Sequence, residues 1–106
     1  MLNYNSIIDE TTPMEFNLSQ NYPNPFKEKT AIKYCVPYKT KVHLTVYNSE
    51  GKEIIELVDE EKSPGTYKVE FNTVETHRDK SLQSETYYYR LEAGDYKCEK
   101  KMQIIK

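Results

Sequence analysis

The chain has no tryptophan, only three glycines, two histidines and two cysteines, and its 15 basic and 17 acidic residues leave a net charge of only −2. Each shortage closes a route. A nucleic-acid footprint needs a basic surplus on one face, and none exists here; mixed charge at this density serves solubility. Nothing approaches the run of about 18 apolar residues that reads as a membrane span. The opening MLNYNSIIDETTP has neither the basic nor the apolar region of an export leader. Cys35 and Cys98 lie far apart and fit no zinc or redox spacing, so free thiols are expected. His43 and His77 are the only histidines, and the serines lack a nucleophile elbow. No convergent acid–base pair can be assembled, and the expectation is a protein that is not an enzyme and uses no cofactor. Asp59, Glu60 and Glu61 lack the glycine-centred loop of a calcium site and read as a solvated turn, so no metal site is expected.

What is abundant is tyrosine, ten in 106 residues. Amphipathic rings of this kind suit strands. Residues 1–14 show no periodicity and read as a flexible lead-in or linker. From residue 15 to 106 the pattern is one domain of alternating short strands. Phe16 and Leu18 alternate with Asn17 and Ser19; Ile32, Tyr34 and Val36 with Ala31, Lys33 and Cys35; Val42, Leu44 and Val46 with His43, Thr45 and Tyr47. The four-residue hairpin signal Asn48–Gly51 follows, with glycine where a positive φ is needed. Lys52–Val58 satisfies one helical face through Ile54, Ile55 and Val58, but its β-branched residues and hairpin position favour a strand. Tyr67, Val69 and Phe71 alternate next, residues 73–85 read as a polar loop, and Tyr87, Tyr89 and Leu91 precede a turn at Gly94. The last strand runs from Tyr96 to Ile105. About seven strands with turn signals every 8 to 12 residues predict an antiparallel β-sandwich.

Two stretches stand out against this regularity. Asn21-Tyr22-Pro23-Asn24-Pro25-Phe26 cannot be helix or central strand, because each proline fixes φ and removes a donor. It reads chiefly as a rigid connector in which Tyr22 and Phe26 plug one end of the sandwich, and secondarily as a recognition surface. In Glu99–Lys106, alternation puts Lys100 and Lys101 on opposite faces, and lysines there protect an edge from aggregation.

These blocks, FNLSQNYPNPF, PGTY, YYYRLEAGD and the closing KKMQIIK, together resemble the C-terminal sorting domain (type A) of the type IX, or Por, secretion system of Bacteroidetes-type bacteria. They resemble more distantly the immunoglobulin-like domain of the flagellar hook-capping protein. The resemblance spans Phe16–Lys106 and implies a non-catalytic immunoglobulin-like module that carries an attached N-terminal passenger. Its implied partners are the outer-membrane translocon and a sortase-like protease, with a destination outside the cell or on its surface. It also raises a recognition role for Asn21, Tyr22, Pro23, Asn24, Pro25 and Phe26, and for Lys100, Lys101 and Lys106 in the tail. The sequence departs from the family pattern in KEKT after Phe26, in an insertion over 73–80, in Glu85 where glycine is common, and in lacking a leader. The rival reading is an adhesive or glycan-binding module, with Tyr38, Tyr47 and Tyr88 forming one aromatic patch.

Overall fold

The computed structural model describes residues 5–9, 13–73 and 86–105. Its strands are β1 (Asn5–Asp9), β2 (Asn17–Leu18), β3 (Lys29–Val36), β4 (Thr40–Tyr47), β5 (Glu53–Lys62), β6 (Gly65–Asn72), β7 (Thr86–Ala93) and β8 (Tyr96–Gln103). They pair antiparallel into two sheets, ordered β1-β6-β3-β2 and β5-β4-β7-β8. The result is an immunoglobulin-like antiparallel β-sandwich. The expected seven strands are β2 to β8. The addition is β1: residues 1–14 read as a lead-in, yet Asn5–Asp9 pair along the outer edge of β6 with an irregularity between Ile7 and Asp9. Backbone bonding along an edge needs no side-chain periodicity, which is why the sequence carries no sign of it.

Period-2 alternation places one parity of each strand between the sheets. Ile32, Tyr34, Val42, Leu44, Val46, Tyr67, Val69, Phe71, Tyr87, Tyr89 and Leu91 are all buried there, the core that alternation predicts. Both free cysteines are half-buried. Cys35 shares the outward parity of Lys33 on β3, whereas Cys98 packs against the core from β8, so the two thiols lie on different sheets.

The ambiguous segment has a physical explanation. Against β4, Leu44 faces Val58 while Thr45 faces Glu56, and Val46 faces Ile55 while Tyr47 faces Glu53. Leu57 and Ile54 are therefore extra residues in two bulges, three positions apart, and the buried set acquires a helix-like spacing inside a strand. The strand also runs on to Lys62, so Asp59, Glu60 and Glu61 belong to an edge strand and not to a turn. Lys41 on β4 and Lys39 just before it pair with Asp59 and Glu61, at 3.5 and 3.7 Å. At the β4–β5 turn the Asn48 side chain accepts from the amides of Glu50 and Lys52, both at 2.9 Å, and Gly51 takes a φ of 86° that a residue with a Cβ disfavours. The polar loop expected after Thr73, with His77 and Glu85 in it, lies outside the described residues.

Candidate functional site

The proline hexapeptide leaves β2, crosses the end of the sandwich and enters β3. Asn21 is its anchor. Its side chain is 2% exposed and its Nδ2 donates to Thr30 Oγ1 (3.0 Å) and to the Pro23 carbonyl (3.2 Å). Thr30 Oγ1 donates to the same carbonyl at 2.8 Å. The buried hydroxyl of Tyr89 accepts from the Asn21 amide (2.8 Å) and donates to the Ser19 carbonyl (2.7 Å). A sandwich core therefore ends in a closed polar network in which each buried donor has an acceptor, as low-dielectric surroundings require. Burial pushes the Tyr89 phenol up to about 12, outweighing its hydrogen bond to the Asn21 backbone.

The second half of the hexapeptide covers the edge of the last strand. Asn24 Oδ1 accepts from the Gln103 amide at 2.9 Å. The Phe26 amide donates to the Gln103 carbonyl (3.1 Å), and the Ile105 amide donates back to the Phe26 carbonyl (2.8 Å), a short parallel bridge centred on Phe26 and Ile104. Upstream, Gln20 Nε2 donates to the Lys101 carbonyl at 2.7 Å. The Phe26 ring is buried edge-on against Phe71, centroids 6.1 Å apart. Pro23 and Pro25 are exposed, and both of their preceding peptide bonds are cis.

The structure thus brings Asn21, Asn24 and Phe26 to the C-terminal half of β8, beside the backbone of Lys101. Phe26 is the plug that the sequence suggests; Tyr22 is not. Its side chain is 81% exposed, because an antiparallel bridge of two 2.9 Å bonds with Ala31 turns the ring outward over the first sheet. Lys101 is exposed and Lys100 half-buried, opposite Tyr88 and Tyr89 respectively. Lys106 lies outside the described residues. Sequence reasoning missed Gln20, Thr30 and Tyr89 as partners of the hexapeptide. The available signal was Thr30, a polar residue at the inward parity of Ile32 and Tyr34.

The aromatic patch of the rival reading is divided. Tyr47 and Tyr88 are cross-strand partners, with Arg90 4.8 Å above the Tyr47 ring and bonded to Glu99. Tyr38 lies at the other end of the sheet, next to the Gly94 turn, edge-on to Phe16, which stacks on Tyr96. His43, Glu56 and Asp59 bring ligand atoms within 4.8 Å of one another. The bulge at Leu57 turns both carboxylates to the His43 side of the sheet. His43 Nδ1 already lies 2.9 Å from Glu56 and 3.2 Å from Asp59, and Lys41 shares Asp59, which accounts for the cluster as an exposed charge network. Among the described residues no helix is long and apolar enough to cross a membrane.

Comparison with known proteins bears on all of these elements at once. No curated protein and no solved structure matches the chain. Residues 20–106 match the family model described as the secretion system C-terminal sorting domain, a stretch that begins at the Gln20–Asn21 anchor and takes in every strand from β3 to β8. The chain belongs to that family, the C-terminal sorting domains of type IX secretion.

Proposed function

We propose that this module is the export address of a larger protein: it directs an attached N-terminal passenger to the type IX translocon in the outer membrane and on to the cell surface, and has no chemistry of its own. The observation that carries the reading is the family match over residues 20–106. The geometry suits an address in one respect. The hexapeptide and the C-terminal strand, far apart in sequence, form one hydrogen-bonded surface, so a receptor meets a single folded epitope: exposed Pro23, Asn24 and Pro25 beside exposed Lys101. A sortase-like protease that removes the module during surface attachment is part of the same reading. The test is a reporter with a signal peptide at its N-terminus and this chain at its C-terminus, expressed in a type IX-competent host. The reporter is expected outside the cell, and Lys100→Gln with Lys101→Gln is expected to lower that yield while the purified domain stays folded. A folded fusion that accumulates in the periplasm would overturn the proposal.

A further inference from the structure

On the outer face of the first sheet, Gln20, Tyr22, Ala31, Lys33 and Lys68 line a groove of about 350 Å³. Three features mark it out. Lys33 and Lys68 are direct cross-strand partners in the β3–β6 register, and like charges in that position repel. Both are exposed and neither forms an ion pair among the described residues; Glu70, one rung away at the same parity, pairs with Lys29 at 3.9 Å. One rung along from them, over Ala31, the Tyr22 ring is 81% exposed on a backbone that the Ala31 bridge pins on both sides. The floor beneath is Ala31, small enough to leave the ring face open.

We infer that this groove is a binding site for an anionic saccharide: the face of a sugar ring stacks on Tyr22 over Ala31, and its carboxylate or phosphate lies between the Lys33 and Lys68 ammonium groups. A rigid aromatic platform suits a sugar's C–H face, and an anion removes the repulsion between the two lysines. An acidic peptide fits less well. Extended peptides gain affinity by adding to a sheet edge, whereas β3 and β6 are interior strands with neighbours on both sides, so the groove has no free backbone row to offer. The site adjoins the tail surface assigned to export through Gln20, which bonds the Lys101 carbonyl, and it is tested on the purified chain without any secretion machinery.

The experiment is a titration of the isotopically labelled 106-residue chain with galacturonic acid trimer and with glucose 6-phosphate, followed by amide shifts in NMR spectra. Shifts are expected at Tyr22, Ala31, Lys33 and Lys68, weakening as salt is raised. Lys33→Gln with Lys68→Gln is expected to weaken binding about tenfold, as is Tyr22→Ala, each with an unchanged fold. The two ligands separate a carboxylate-bearing from a phosphate-bearing sugar, and binding of either supports the site. No shift at these residues with either ligand up to millimolar concentration overturns it. So does inorganic phosphate binding as tightly as glucose 6-phosphate with Tyr22→Ala without effect, since the ring then contributes nothing. A hexaglutamate peptide that binds the groove more tightly than both sugars would overturn the saccharide assignment in favour of a peptide.

Discussion

Replacing Tyr89 by Phe removes one oxygen from the middle of the polar network and leaves the ring in place. One buried and one half-buried group lose their partner: the Asn21 amide, which donates to Tyr89 Oη at 2.8 Å, and the Ser19 carbonyl, which accepts from it at 2.7 Å. A hydrogen bond lost in exchange for water costs about 0.5 to 1.5 kcal/mol, but a buried group left unpaired costs about 1 to 3 kcal/mol. Asn21 is 2% exposed, so water has little access to its amide, and the expected loss is about 2 to 4 kcal/mol at neutral pH. In urea, with m about 1 to 3 kcal/mol/M for a small domain, the midpoint should fall by about 1 to 2 M.

The same substitution has a pH signature. Tyr89 releases its proton at about 12 in the fold and near 10 when unfolded, so its neutral form stabilises the native state fully below pH 10. As pH rises from 10 to 12 the unfolded chain ionises first, and stability drops by about 1.4 kcal/mol per unit, about 3 kcal/mol across the window. Tyr67 and Tyr96 are also raised, chiefly by burial, so the alkaline decline persists in part in the variant. The gap between wild type and Tyr89→Phe should therefore narrow steadily above pH 10. A stability change below about 0.5 kcal/mol at pH 7, within the range of an ordinary surface substitution, or a gap that stays constant to pH 12, would refute the network as described.

Other outcomes follow from the same geometry. Leu44→Ala empties a fully buried site between the sheets and should cost about 2 to 5 kcal/mol by chemical denaturation; an unmoved midpoint would invert the register of β4. Asn24→Ala should cost about 0.5 to 1.5 kcal/mol and raise amide exchange at Gln103, whose N–H loses its acceptor. Lys33→Glu should stabilise the domain by about 0.2 to 1 kcal/mol by turning a like-charged cross-strand pair into an opposite one, and the gain should shrink in high salt.

Alternation carried most of this fold into the sequence. Residues such as Ile32, Val42, Val69 and Leu91 have only two faces to choose between, and one face of each sheet is buried. What alternation does not encode is irregular. The bulges at Ile54 and Leu57 add residues that break parity, and the break was visible only as a false helical face. The candidate site was half legible for a related reason. Prolines announce a rigid segment, but what it touches depends on long-range partners, Tyr89 for Asn21 and Gln103 for Asn24, which no local pattern specifies. Tyr22 shows the limit most sharply: the residue before a proline is pushed toward extended conformations, yet which way the ring points was decided by the bridge to Ala31.

That coupling between hexapeptide and tail changes how export experiments on this chain must be designed. Removing residues 104–106 takes away Ile104, which is buried and bridged to Phe26, and the Ile105 amide that donates to the Phe26 carbonyl. Burial of one large aliphatic side chain and one hydrogen bond together amount to about 2 to 4 kcal/mol, against a total stability of about 5 to 15 kcal/mol for a domain. The truncated chain should therefore show a lowered denaturation midpoint and faster exchange at Phe26 and Gln103, and it should lose export for that reason alone, whether or not any receptor reads the tail. Lys100→Gln with Lys101→Gln leaves Ile104, Ile105 and the Phe26 bridge untouched. Its stability should stay within about 0.5 kcal/mol of wild type. A fall in export in this variant, at an unchanged midpoint, reports recognition of charge on β8; export at the wild-type level would mean that the lysines guard the strand's edge and that the exposed face of the hexapeptide is where a receptor must be sought.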